Sequence, residues 1–235
     1  MSTETISEIV AFWLGSSLET PEAAFSRKDW WYKGGGPVDE DIRARFGNLV
    51  PQACARQLMA WQTTPDGALA LILLLDQFTR NLYRNTPQAY EGDASAFEVL
   101  TQAIDEKLDT ALPPVSRIWF YHPFHHAEDV EDQDRGLVLL NEIRQEAPAE
   151  WQPYVEQSIK GWTRHRNIVA RFGRFPHRNA VLSRNSTEEE LIFLKTNSEA
   201  FGQGSLASKK NSTRRFGIDS TSLARGSHFW REVIH

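Results

Sequence analysis

The chain has 235 residues, which is enough for one large domain or two small ones with a substantial buried core. Its formal net charge of −5 argues against a general nucleic-acid binder, because such proteins are usually basic over a whole face. The single cysteine, Cys54, excludes an internal disulfide framework and a cysteine-based zinc site. The longest apolar run, residues 68–75, is too short to span a bilayer, and the N-terminal residues lack the pattern of a secretion signal. We therefore expect a cytoplasmic globular protein that binds neither nucleic acid nor membranes.

Helical periodicity runs through the first part of the chain. Apolar residues recur at the i, i+3, i+4 spacing over residues 6–14, and Gly15 is expected to end that helix. A turn-rich stretch is expected over residues 30–37. A second helix is predicted from about Val38, and Pro51 should kink or divide it.

The clearest helix start in the sequence is Thr64-Pro65-Asp66. Thr64 suits the N-cap, Pro65 the first helical position, and Asp66 the positive end of the helix dipole. Residues 68–75 are apolar on every side, which predicts a central, fully packed helix. Residues 86–87 should end this region.

Four further helices and one short helical segment are predicted beyond that point. The first is expected to start with Asp93 as its N-cap, and the short segment is expected to start at Pro113-Pro114. The next two helices are expected from near Ala127 and across residues 155–172. The last should follow a capping box of Ser186 and Glu189. No run of alternating strand residues is visible. The predicted fold class is all-α, with stacked antiparallel helix pairs in one domain over residues 1–203. Residues 204–235 are polar and aperiodic and are predicted to form a flexible tail, with a short ordered piece near residues 229–230.

The first group of candidate site residues follows the apolar helix. Asp76 and Arg80 are four residues apart and can pair on one helix face, and Asn81 and Arg84 come next. One interpretation is a buried ion pair that orders a helix end. The other is that Asp76 orients Arg80 toward a ligand, because polar groups at the end of an apolar element often form a site.

The second group contains three histidines and two acids, from His122 to Asp129. The spacing lacks the His-Glu-x-x-His pattern of zinc proteases, so no metal or cofactor is predicted. Glu128 and Asp129 fit first-turn acids at a helix dipole equally well. An acid–base or hydrogen-bonding role is predicted for His126 with Glu128, because histidine titrates near neutral pH.

The third group is an arginine-rich stretch over residues 164–184, which contains no acidic residue. Gly173 and Pro176 should bend the backbone tightly and gather the side chains around them, and His165 should point inward on its helix. The predicted ligand-binding residues here are Arg171, Arg174, His177, Arg178 and Asn179, and the predicted ligand is a carboxylate or phosphate. The alternative is that these arginines bond helix carbonyls and surface acids.

Together these segments resemble a bacterial family known as domain of unknown function 924. The resemblance runs from about Ile9 to Leu194. It depends on Phe12-Trp13-Leu14-Gly15, Trp30-Trp31, the segment Leu69–Arg84, Asp93, Tyr121, Pro123, His126, Glu128-Asp129, Gln133, His165, the run Arg171–Asn179, Arg184, Ser186-Thr187 and Glu189. It implies a tetratricopeptide-like α–α superhelix, and it implies no substrate, reaction or cofactor.

Two departures from the family pattern limit what the resemblance implies. The family usually has methionine where this chain has His122 and His125, which argues against an inherited metal site there. The family also normally stops soon after the last helix, so residues beyond about 204 are atypical.

Two functional hypotheses follow from these residues, and a third interpretation is that the polar motifs only stabilise the helix stack. The first is a pocket for a small anionic metabolite, with hydrolysis or group transfer as the reaction if there is one. In it Arg80, Arg174 and Arg178 hold the anion, and His126, Glu128 and His165 are the catalytic candidates. The second is a non-catalytic tetratricopeptide-like scaffold that binds a peptide carboxylate or a partner protein.

Overall fold

A computed structural model describes residues 3–32 and 35–196, and this part of the chain is all helical. Its α-helices are α1 (Thr3–Leu14), α2 (Pro21–Tyr32), α3 (Pro37–Phe46), α4 (Leu49–Cys54), α5 (Pro65–Ile72), α6 (Thr79–Leu82), α7 (Asp93–Asp105), α8 (Pro114–Phe120), α9 (His122–His126), α10 (Val130–Glu146), α11 (Gln152–Phe172) and α12 (Glu188–Thr196). Within the described ranges there is no strand. The all-α fold class is confirmed. The predicted tail, residues 204–235, and its ordered piece lie outside the described residues.

The centre of the fold is the segment that begins at Pro65. Thr64 caps it as predicted, because its side-chain oxygen accepts a hydrogen bond from the amide of Gly67 at 3.2 Å. Every side chain from Ala68 to Leu75 is fully buried. The prediction of a central, fully packed helix is therefore confirmed.

This central segment does not stay α-helical along its whole length. Residues Leu73–Phe78 form a π-helical turn between α5 and α6. The Thr79 hydroxyl donates to the carbonyl of Leu75 at 2.8 Å, which gives this carbonyl a hydrogen bond within the π-helical turn. Such turns are common where a helix supplies functional side chains, and this one carries Asp76 and Gln77.

The turn predicted around Trp30 and Trp31 was wrong, because both residues lie in α2. Tertiary contacts hold this helix against the end of α1. The Trp31 indole N–H and the Arg27 guanidinium both donate to the carbonyl of Trp13, at 2.8 and 2.9 Å. These partners are distant in sequence, and the glycines that follow α2 suggested a turn in their absence.

Several predicted helix boundaries also need correction. The break in the second helix comes at residues 47–48, before Pro51, and α10 starts at Val130 with Asp129 as its N-cap. Gly92, not Asp93, precedes α7 as its N-cap. The Asp93 carboxylate is instead bonded to Arg80, which is a better partner than a backbone amide.

The capping box of the last helix lies one residue later than predicted. The Glu190 amide donates to the Thr187 hydroxyl at 3.2 Å, and the Thr187 amide donates to the Glu190 carboxylate at 2.7 Å. Ser186 was the predicted cap, but its hydroxyl accepts from the amide of Asn179.

The longest helices, α10 and α11, are joined by only five residues, 147–151, and pack side by side. Gly136 permits their close approach over α9. A Cβ at this position would come within 2.9 Å of both Phe124 and Trp162. None of the described helices is long and apolar enough to cross a membrane.

Gly136→Ala should destabilise the protein by about 1–3 kcal/mol, because the added methyl overpacks this crossing. Gly161→Ala, on the neighbouring helix, is the matched control, since a Cβ there meets no atom within 4 Å. It should stabilise by about 0.5–1 kcal/mol through helix propensity. Urea denaturation of both variants tests this pair, and equal effects would contradict the packing account.

Candidate functional site

A cavity of about 510 Å³ opens between α2, α9 and α11. Helix α11 forms one wall and α2 another, the histidines of α9 line a third side, and the fourth comes from α6 and the turn Pro176–Arg178. The lining residues are Lys28, Trp31, Tyr32, Gln77, Arg80, Asn81, Arg84, Tyr90, His122, His125, His126, Gln157, Ser158, Gly161, Trp162, Arg164, His165, His177 and Arg178. The volume is within the range of small-molecule sites.

The charges around this cavity are all of one sign. Four arginines and Lys28 line it, and no described aspartate or glutamate does. The acids that compensate the arginines lie behind the lining. Arg84, for example, binds Asp39 through Nε at 2.7 Å and Nη2 at 3.0 Å. A molecule in the cavity therefore faces guanidinium groups and imidazoles.

Asp76 is the buried acid behind the cavity, with its side chain 1 % exposed. Arg80 lies 3.1 Å from its carboxylate and forms a bidentate pair with Asp93 at 2.7 and 3.0 Å. Burial lowers the pKa of Arg80, but the carboxylates of Asp76 and Asp93 outweigh it and raise this pKa overall. Burial, opposed by Arg80, raises the pKa of Asp93.

The ring of His126 is fixed by the same carboxylate. Its Nδ1 lies 2.8 and 2.9 Å from the two oxygens of Asp76, and the side-chain amide of Gln77 also donates to Asp76. An ionised carboxylate can only accept, so Nδ1 carries the proton and Nε2 carries the lone pair. Burial, reinforced by Arg80, holds the pKa of His126 well below its usual value. The neutral ring is thus oriented as a base or an acceptor.

The neighbouring histidines are also neutral and oriented. Nδ1 of His122 donates to the carbonyl of Ile118 at 2.9 Å, and Nδ1 of His165 donates to the carbonyl of Gly161 at 3.2 Å. Burial lowers the pKa of both to about 4 and the pKa of His177 to about 3. Burial also places the pKa of His125 well below its usual value.

Arg178 is a buried cation with incomplete compensation. Its side chain is 7 % exposed, and its Nη1 donates to the carbonyl of His126 at 3.1 Å. The nearest carboxylate, that of Asp93, lies 3.9 Å away, and the buried Nε has no hydrogen-bond partner in the described part of the chain. Burial, reinforced by Arg80, lowers the pKa of this guanidinium. A buried charge of this kind gains from an added anion.

Local backbone geometry brings Arg178 to the cavity. Gly173 ends α11 in the left-handed conformation at φ 67°, and Pro176 begins the turn that carries His177 and Arg178. The bend that the sequence predicted at Gly173 and Pro176 is therefore present. It places this turn against the end of α9.

Seven of the predicted site residues line this cavity, and Asp76 lies directly behind it. The seven are Arg80, Asn81, Arg84, His126, His165, His177 and Arg178. Within the group, Asn81 donates to Asp39 at 2.7 Å, so this side chain also helps to fix the acid behind Arg84.

Four predicted site residues do not line it. Arg171 and Arg174 form ion pairs with Glu189 and Glu190, and the Asn179 amide donates to Glu190 and Ser186. Glu128 accepts from Arg184 and from the amide of Phe175, and these contacts lower its pKa against the effect of burial. These groups hold the segment after α11 in place.

The cavity also contains residues that sequence reasoning missed. They are Lys28, Trp31 and Tyr32 of α2, Tyr90, and the α11 residues Gln157, Ser158, Gly161, Trp162 and Arg164. Apart from Arg164, the α11 residues follow helical spacing back from His165, so the stripe could have been extended from that histidine. Nothing local marks Lys28 or Tyr32. Among the described residues, no group of three or more His, Cys, Asp or Glu side chains is arranged to hold a metal ion.

Comparison with known proteins identifies the family of this chain. The family described as "Bacterial protein of unknown function (DUF924)" matches residues 9–198. The chain belongs to this family. No curated protein matches the chain.

A solved structure is similar to this DUF924 protein. It is that of the protein of unknown function ATU0120 from Agrobacterium tumefaciens, which is 34% identical in sequence. The similarity covers 84% of this chain and 100% of the other, with a TM-score of 0.66.

Removing the charge of two arginines of the site should change stability to very different extents. Arg80→Met strands the buried carboxylate of Asp76 and should destabilise the protein by about 3–5 kcal/mol. Arg178→Met removes a poorly compensated charge and should change stability by less than about 1.5 kcal/mol. Urea denaturation of both variants measures this. An equal, large loss in both would show that Arg178 is a structural ion-pair residue.

The buried histidines should make stability depend on pH. The unfolded chain takes up their protons near pH 6.5, whereas the folded protein takes up those of His122 and His165 only near pH 4. Since the unfolded state binds more protons in this window, the free energy of unfolding should fall as pH drops from 6.5 to 4. Each such group contributes about 1.4 kcal/mol per pH unit. The slope should be reduced in a His122→Met, His125→Met variant, and a slope unchanged by these substitutions would contradict the account.

Proposed function

We propose that this protein binds a small anionic metabolite through a carboxylate or phosphate group, and that the anion lies against Arg178. The observation that carries the proposal is the incomplete compensation of this buried guanidinium at a cavity that no aspartate or glutamate of residues 3–32 and 35–196 lines. Arg80 and Arg84 already have carboxylate partners. They therefore contribute positive potential and part of the cavity wall, but no unpaired charge. Guanidinium groups suit both carboxylates and phosphates.

Lys28 of α2 supports the same proposal. It lines the cavity, its ammonium group donates to Gln157, and no carboxylate pairs with it in the described part of the chain. Burial lowers the pKa of Lys28 to about 8, so it remains largely charged at neutral pH. An anionic ligand would stabilise this charge as well.

We propose His126 as the proton-transfer group for a hydrolysis or group transfer on that ligand. In such a reaction its Nε2 lone pair would take the proton of water or of an acceptor hydroxyl as that oxygen bonds to the transferred group, and Asp76 would stabilise the imidazolium that forms. The imidazolium would then return the proton to the leaving group as its bond to the transferred group breaks. The support is the pair of short contacts between Nδ1 and the Asp76 carboxylate, which set the tautomer. His165 is a second proton-transfer candidate, since its Nδ1 is occupied by a carbonyl.

The alternative is a tetratricopeptide-like scaffold that uses the same cations to hold a peptide carboxylate. The observation that favours it is the long α10–α11 pair with its short connection, which is the unit of such superhelices. In that case Arg178 would bind the terminal carboxylate, and His126 would act as a hydrogen-bonding group.

A ligand screen by thermal unfolding tests the proposal. Wild type, Arg178→Met and the control Arg174→Gln are each heated with phosphorylated and carboxylated metabolites and with short peptides. Arg174 binds Glu190 outside the cavity lining, which makes it a matched arginine. A ligand at about 100 times its Kd should stabilise wild type and Arg174→Gln by about 2.7 kcal/mol, and Arg178→Met hardly at all.

The screen also separates the alternatives. Stabilisation by peptides but not by small anions favours the scaffold. Stabilisation that Arg174→Gln removes and Arg178→Met keeps would refute the cavity as the anion site.

A further inference from the structure

Gly161 exposes bare helix backbone in the wall of the cavity. It lies in the middle of α11 and lines the cavity, and a Cβ built on it would meet no atom within 4 Å. Protein packing therefore does not require a glycine here, in contrast to Gly136 on α10. A glycine inside a helix costs stability relative to alanine, and its use is close approach of another group to the backbone. The open space belongs to the cavity, so the approaching group would be a ligand.

Aromatic rings lie near the exposed backbone of Gly161. Trp162 follows it, and the ring of His165 is held one turn later by its bond to the Gly161 carbonyl. Tyr32 lines the cavity from α2 and is 56% exposed. Its ring is stacked on Trp119 at 6.0 Å and 25°, which fixes its orientation. A flat group between Tyr32 and the backbone of α11 would cover apolar surface that the protein leaves open.

The anion-binding residue and the exposed backbone of Gly161 belong to different elements. Arg178 belongs to the turn after α11 and contacts Tyr90 and Phe175, whereas Gly161 lies on α11 itself, one turn before His165. The cavity volume of about 510 Å³ is that of a site for a whole metabolite and far exceeds one phosphate or carboxylate group.

We infer that the ligand is an aromatic anion, with its phosphate or carboxylate on Arg178 and its planar ring on the Gly161 backbone opposite Tyr32. This inference rests on the proposed function, since it assigns the rest of the molecule whose anionic group Arg178 binds. The aromatic ring is recognised by stacking and shape, which tolerates different rings.

Matched ligand pairs and one variant test it. Wild type and Gly161→Leu are titrated calorimetrically with phenyl phosphate against methyl phosphate, and with benzoate against acetate. Leucine forms helices well and its Cβ would meet no atom within 4 Å, so we expect the variant to fold as wild type does. Gly161→Ala is the control with the smallest added volume.

Wild type should bind each ring-bearing anion at least roughly tenfold more tightly than its methyl counterpart. Gly161→Leu should remove that advantage and leave the methyl anions bound as in wild type, and Gly161→Ala should lose only part of it. If wild type binds both members of a pair equally, or if Gly161→Leu weakens both equally, the ring site is wrong while anion binding stands. If wild type binds none of the four, anion binding and the ring site both fail.

Discussion

The buried carboxylate of Asp76 connects the elements that form the site, because it binds both His126 and Arg80. It lies on the π-helical turn of the central segment, and it binds the Nδ1 of His126 on α9 and the guanidinium of Arg80. Arg80 in turn binds Asp93 at the start of α7. A carboxylate this deep in the protein is tolerated only with several partners, so these three elements have one arrangement that satisfies it. The orientation of the His126 ring, and with it the position of Nε2, is a consequence of that arrangement.

The arginine-rich stretch divides into two groups with different tasks. Arg171, Arg174 and Arg184 neutralise Glu189, Glu190 and Glu128, and these pairs fix the segment that follows α11. Because that segment is fixed, Arg178 can be buried at the cavity with only a distant carboxylate. The acids that the stretch lacks are thus supplied by α12, by the loop before α10 and by α10 itself, where Asp134 binds Arg166. The ion pairs around the turn keep in position a charge that the protein itself leaves poorly satisfied.

Sequence reasoning recovered the parts of this structure that depend on local chemistry. The Thr64 cap, the fully apolar segment after it, the bend at Gly173 and the i, i+4 pair of Asp76 and Arg80 all follow from adjacent residues. The π-helical turn, the helix around Trp31 and the bond between Asp93 and Arg80 depend on partners far away in the chain, and no local pattern indicates them. The same limit applies to the site. The composition identified the arginine-rich stretch as a candidate site. Tertiary packing decides which arginine pairs with an acid, as Arg174 does, and which lines the cavity, as Arg178 does.

The central claim is that an anion lies on Arg178, and crystals soaked in tungstate test it most directly, since the metal atom of this phosphate analogue can be located by its anomalous scattering. The account predicts a strong anomalous peak inside the cavity, within hydrogen-bonding distance of the Arg178 guanidinium and facing the Nε2 side of His126. Peaks found only at the exposed arginines, such as Arg171, with none beside Arg178, would contradict it.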